Sequence, residues 1–138
     1  MQRREQLERI CQDLDLLAVY LFGSRADDGV AYLDGVEPER SRSDLDVGVV
    51  FRDPNFEPRR LTVLQVAFEE VFAPFRVDVV PLQRVDALFQ FEAVDGHRVA
   101  APDPEEADRY ELLVMRRAAE LLPIERRLEQ DFFTTEAR

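Results

Sequence analysis

Ser43-Asp-Leu-Asp-Val-Gly-Val-Val-Phe51 is the stretch on which the reading of this chain turns. Two carboxylates open it and an unbroken apolar run closes it. A run of that kind, with no polar alternation, reads as a strand covered on both faces. On an extended strand Asp44 and Asp46 stand two residues apart and project from the same side. Burying an ionised carboxylate without a partner costs several kcal/mol, so a strand that begins this way has a use for the charge.

Upstream, Leu16-Leu-Ala-Val-Tyr-Leu-Phe22 is a second apolar run and ends in Gly23-Ser24. Glycine permits a sharp turn there, and serine can cap a following short helix. A glycine-serine turn leaving a buried strand offers N–H groups and a hydroxyl to phosphate oxygens. Arg25, next in line, has two readings of equal weight: a bidentate phosphate contact or a surface ion pair. Downstream, Pro54 and Pro58 introduce a helix from about 58 to 73, and Phe75 to Leu82 is a third strand, apolar apart from Asp78. If that strand lies beside the second, Asp78 joins Asp44 and Asp46. Three converging carboxylates repel one another unless a cation sits among them. Mg2+ is the natural choice, a hard ion that takes oxygen ligands and substrate phosphates, and a pair of such ions would suit phosphoryl transfer.

The rest of the chain frames this centre. Residues from about 2 to 13 carry Leu7, Ile10, Cys11 and Leu14 at helical spacing. Asp27 to Arg42 reads chiefly as a loop, with Val30 to Leu33 as a small strand within it. A short helical segment is expected near Gln83 to Phe89, and a hairpin over Phe91 to Ala101 turning at Asp95-Gly96. A long helix runs from about Pro104 to Leu122 and on towards Glu129 past a break at Pro123. The expectation is one nucleotide-handling domain over residues 1–138, with a C-terminal helical segment of about 104–130. Its class is α/β (α+β), a small mixed β-sheet with flanking helices.

Composition narrows the function. A hydrophobic content of 46% in 138 residues suits a folded domain with one core. The formal net charge of −11 opposes nucleic acid as the main ligand, because displacing counterions needs a basic surface. All 18 basic residues are arginine, so any cationic phosphate contact must come from Arg, and P-loop chemistry that depends on lysine is absent. The apolar runs are too short to span a bilayer, and the start of the chain is amphipathic rather than an apolar signal core. A cytoplasmic location is expected, consistent with the single Cys11, which reads as packing on the first helix. Asp13-Leu-Asp15 reads as a solvated helix end, His97 as a surface or hairpin residue, and Arg116-Arg117 and Arg126-Arg127 as a solvated face. Phe89 and Phe91 read as core or interface, and Phe132-Phe133 as a candidate partner contact. An oligomer is compatible with the sequence.

Val19-Tyr-Leu-Phe-Gly-Ser-Arg-Ala26, Ser43-Asp-Leu-Asp-Val-Gly-Val-Val50 and Arg76-Val-Asp-Val-Val80 resemble the motifs of the minimal nucleotidyltransferase family, within the polymerase-beta-like superfamily. The segment from Leu88-Phe-Gln-Phe-Glu92 through Gly96-His-Arg-Val99 to the last helix resembles it more loosely. The resemblance implies ATP as cosubstrate and Mg2+ as metal. Asp44 and Asp46 would be metal ligands, and Gly23 and Ser24, with Arg25 beside them, would bind the triphosphate. Asp78 would help activate the attacking hydroxyl, directly or through a second metal. Many small members act as antitoxins that bind a HEPN-domain ribonuclease and transfer AMP onto its tyrosine hydroxyl. One departure is the nineteen residues between Ser24 and Asp44, longer than is usual in that family. Loops take such length at small entropic cost, so the insertion bears on acceptor access rather than on the fold.

The leading expectation is therefore an Mg2+-dependent transferase of AMP from ATP to a hydroxyl of a HEPN toxin. The alternative is a non-catalytic, nucleotide-binding antitoxin that sequesters its partner. Small-molecule nucleotidylation ranks third, because the chain is too short for the extra acceptor-binding domain such enzymes carry.

Overall fold

The computed structural model describes residues 2–40 and 43–136, the side chains of 125 and 132–136 aside. Four strands form one sheet: β1 (Leu16–Phe22), β2 (Leu45–Phe51), β3 (Val77–Pro81) and β4 (His97–Ala100), in the order β3-β2-β1-β4. β1 runs antiparallel to both β2 and β4, while β2 and β3 are parallel. A parallel pair needs a crossover, and α3 (Pro58–Val71) supplies it, opened by a proline whose missing N–H has no helical partner to lose.

Helices cover both faces of the sheet. On one side α1 (Arg3–Asp13), α2 (Ala26–Leu33) and α3 pack Leu7, Leu33, Leu64 and Phe68 against Val19, Leu21, Leu45 and Val47. On the other, α4 (Ala87–Val94) and α5 (Pro104–Glu136) bring Ala93, Val94, Ala107 and Val114 onto Ala18, Tyr20, Phe22 and Val50. This double cover is why β1 and β2 carry apolar residues without alternation. Cys11 lies buried in the first of these layers, as its helical spacing suggests.

Three elements differ from the sequence expectation. Residues 26–33 are a helix, not a loop containing a small strand. Ala26, Gly29, Tyr32 and Leu33 recur at helical spacing on its buried side, and Asp27 and Asp28 favour its N-terminal dipole. Its end is set by Gly35 at φ +97°. There the Val36 N–H donates to the Ala31 carbonyl and the Gly35 N–H to the Tyr32 carbonyl, each at 3.0 Å, a Schellman stop.

The second difference is the expected hairpin over Phe91 to Ala101. Residues 87–94 are α4, capped by Asp86, whose side chain accepts from the Phe89 N–H at 2.8 Å. Asp95-Gly96 ends this helix and leads into β4, which pairs with β1. Glycine is needed at 96 because a Cβ there would stand 2.4 Å from the Leu21 carbonyl oxygen. Third, α5 continues through Pro123 to Glu136 instead of breaking. Beyond Ala118 no described side chain up to Asp131 is buried, so the lost backbone bond falls where packing does not depend on it. Arg116, Arg117, Arg126 and Arg127 are exposed, as expected of a solvated face. The Phe132-Phe133 expectation lies outside the described side chains. Among the described residues no helix is long and apolar enough to cross a membrane.

Candidate active site

The end of β1 and the starts of β2 and β3 meet at one edge of the sheet. In the antiparallel pair Phe22 stands opposite Asp46, and in the parallel pair Asp46 stands opposite Asp78. Register alone therefore puts Asp46 and Asp78 side by side, and the turn after Phe22 carries Gly23-Ser24 to the same place. Gly23 holds φ +78°, and a Cβ on it would sit 2.2 Å from Oδ2 of Asp46. Glycine is thus required twice, by the backbone conformation and by the carboxylate facing it.

Asp44 precedes β2 and Asp78 lies within β3, both exposed, while Asp46 is half-buried. The Asp46 carboxyl is pushed above the usual carboxylate range, first by burial and then by the charges of Asp78, Asp44 and Glu92. Glu92 is the acidic residue that sequence reasoning missed. It sits on α4, one turn beyond Phe89, whose ring meets Phe22 edge-on at 5.7 Å. Helical spacing would have pointed it at the end of β1, had residues 91–101 not been read as a hairpin.

The arginines near the site differ in burial. Arg25 is only 6% exposed. Its guanidinium lies 4.3 Å over the Phe75 ring, donates to the Glu39 carbonyl at 2.9 Å and pairs with Asp28 at 3.4 Å. Arg25 thus makes an ion pair, though from a buried guanidinium rather than a surface one, together with a tie that fastens the segment after α2. Arg76 precedes β3 and its Nε lies 3.3 Å from Asp44 Oδ1, both side chains exposed. His97 is exposed on β4 and meets Asp27 at 2.8 Å. Ser24 is exposed and does not cap α2, whose first-turn cap position falls on Arg25.

The donor set suits a hard divalent cation. Asp44, Asp46 and Asp78 supply only carboxylate oxygens, and Asp46 is raised by burial and then by the charges of the other two, which a cation would offset. Among the described residues no three acidic, histidine or cysteine side chains are gathered tightly enough to enclose an ion, and Asp44 is turned onto Arg76 instead.

Several solved structures share this fold. A chain of the MntA–HpeT toxin–antitoxin bearing two Asp-to-Glu substitutions superposes with a TM-score of 0.69 at 14% identity, over 94% of this chain and 98% of that one. A toxin–antitoxin structure with AMP-PNP gives 0.68 at 15% identity, over 94% and 98%. The complex of tri-AMPylated Shewanella oneidensis HEPN toxin with MNT antitoxin gives 0.66 at 15%, over 96% and 99%. At such identities the likeness is one of fold. A search of curated protein sequences gives no match. The family model for polymerase beta nucleotidyltransferases matches residues 5–105, a span that holds the whole sheet and the three aspartates. With that match spanning well over half of its residues, this chain belongs to the polymerase beta nucleotidyltransferase family.

Proposed function

We propose that this chain transfers AMP from ATP to a tyrosine hydroxyl of a partner HEPN ribonuclease toxin, and so acts as its antitoxin. The observation that carries the reading is the register that sets Asp46 opposite Asp78 with Gly23 against the Asp46 carboxylate. Support for the partner comes from the solved toxin–antitoxin complexes of the same fold, one with AMP-PNP and one with a tri-AMPylated HEPN toxin.

Asp44 and Asp46 would hold Mg2+, with Asp78 completing the acidic face. When bound, the cation would neutralise charge on the phosphates and on the departing pyrophosphate. The N–H groups of the Gly23-Ser24 turn and the Ser24 hydroxyl would grip the triphosphate. Asp78, exposed at the mouth of the site, would take the proton of the acceptor hydroxyl on a carboxylate oxygen. The hydroxyl oxygen then bonds to the α-phosphorus as the bond from that phosphorus to the bridging oxygen breaks, and pyrophosphate leaves. The protein's part is positioning and charge placement, since phosphoryl transfer asks for little covalent participation.

The test is label transfer from α-labelled ATP to the cognate toxin, with the Asp44→Asn, Asp46→Asn double variant as comparison. The expected result is labelled toxin with the native chain and none with the variant. Tight complex formation with no label from the native chain would instead establish the sequestering antitoxin, for which the Asp44–Arg76 contact is the one favouring observation.

A further inference from the structure

The residue before β3 occupies a position that neither the family motif nor the reading above assigns. The Leu45 N–H donates to the Arg76 carbonyl at 2.8 Å, and the ladder then pairs Leu45 with Val77 and Asp46 with Asp78. Continued back by one residue, the register sets Arg76 beside Asp44. Arg76 and Asp78 are two residues apart along the chain, and Arg76 Nε lies 3.3 Å from Asp44 Oδ1, as that register implies. The site is thus a small grid with Asp46 beside Asp78 in one row and Asp44 beside Arg76 in the next. A guanidinium stands where it touches one of the carboxylates that would hold the metal.

Resting on the nucleotidyltransferase reading, we propose that Arg76 is the phosphate-binding arginine of this site. Its guanidinium lies on Asp44 in the free protein and transfers to a phosphate oxygen of the bound nucleoside triphosphate once Asp44 is engaged as a metal ligand. Three observations carry this. First, the site gathers the charges of Asp44, Asp46, Asp78 and Glu92, and a triphosphate adds more of the same sign. A cationic side chain would offset what the metal leaves, and with no lysine in the chain an arginine is the one to supply it. Second, Arg25, the arginine next to the Gly-Ser turn, is buried and held by Phe75, Glu39 and Asp28. Third, Arg76 is accessible. Its side chain is 69% exposed and borders, with Asp44, Pro74 and Phe75, an open cleft of about 490 Å³. An exposed pair of this kind holds weakly.

The test is calorimetric titration of the full chain with AMP-PNP in the presence of Mg2+, and separately with Mn2+ alone, for the native protein, Arg76→Gln and Arg76→Lys. Thermal melts show that each variant is folded. Arg76→Gln is expected to weaken AMP-PNP binding by roughly tenfold or more, the loss of a charge-assisted contact. Mn2+ alone should bind the same variant more tightly, because Asp44 has lost its competitor. Arg76→Lys should recover part of the nucleotide affinity by restoring the charge without the fork. AMP-PNP affinity in Arg76→Gln within about twofold of native overturns the assignment, as does weaker Mn2+ binding. A native chain that binds no AMP-PNP overturns the functional reading and this assignment together, whereas equal binding by native and Arg76→Gln removes only the role of Arg76.

Discussion

Gly23 faces Asp46 so closely that a methyl group on it would stand 2.2 Å from the carboxylate Oδ2, at a backbone φ of +78°. The turn and the acid are therefore one unit. Gly23→Ala should lose stability twice over, through backbone strain of about 1–3 kcal/mol and through displacement of the Asp46 side chain. Urea denaturation would measure the first effect. The second would be read as weakened Mg2+-dependent nucleotide binding in the fraction that remains folded. Unchanged nucleotide affinity would separate the turn from the site.

Asp78 sits directly across the ladder from Asp46 and helps to hold its carboxyl above the usual range. Asp78→Asn removes that neighbour's charge. The folded protein should melt at the same temperature or slightly higher, with a gain under about 1 kcal/mol because Asp78 is solvent-screened. The rate of AMP transfer should fall by about a hundredfold or more, the scale of a lost general base. A variant that loses stability and activity in proportion would argue for a structural role only.

Arg25→Ala should act on structure. It removes the guanidinium over Phe75 and the bond to the Glu39 carbonyl, for a loss of about 1–3 kcal/mol. Faster amide exchange at residues 36–40 relative to the sheet would check it. If nucleotide affinity falls sharply while exchange at these residues is native, the phosphate reading of Arg25 is the right one.

Burial pushes the Cys11 thiol up to about 12 from an ordinary value of 9.0, with the nearby Glu8 charge adding to it. Native protein should therefore react with a disulfide reagent at pH 8 far more slowly than urea-unfolded protein. The sign for stability follows from linkage. The unfolded thiol ionises first as pH rises past 9.0, and the folded one stays protonated to about 12. Stability is whole below that window and declines across it. Equilibrium denaturation of native and Cys11→Ala protein at pH 8 and pH 10.5 would show a larger loss with pH in the native chain.

Much of this was readable from residues alone. Leu16–Phe22 and Leu45–Phe51 declare themselves because helices cover both faces and leave no polar alternation, and Asp44, Asp46 and Asp78 stand out as charges in apolar surroundings. What was hidden depends on contacts distant in sequence. Gly29 looks like a loop residue, yet a Cβ there would meet Leu21 and Leu45 at 2.8 Å, so it marks a helix pressed onto the strands. Asp95-Gly96 carries the signature of a hairpin turn, and only the approach of Gly96 to the Leu21 carbonyl shows it to be a helix end. The same misreading concealed Glu92. Arg25 sits next to the expected phosphate turn in sequence while Arg76 sits next to the acids in space, an order that only the parallel pairing of β2 and β3 reveals.

That pairing has a consequence for how the chain can fail. Adjacent residues of a strand point to opposite faces, so sliding β3 by a single residue against β2 would turn Asp78 and Arg76 into the layer beneath α3 and bring apolar side chains to the reactive edge. Correct assembly and chemical competence are thereby the same event. Under the proposed nucleotidyl transfer, a misassembled copy would be inert rather than active on a wrong acceptor, a safeguard set by strand alignment.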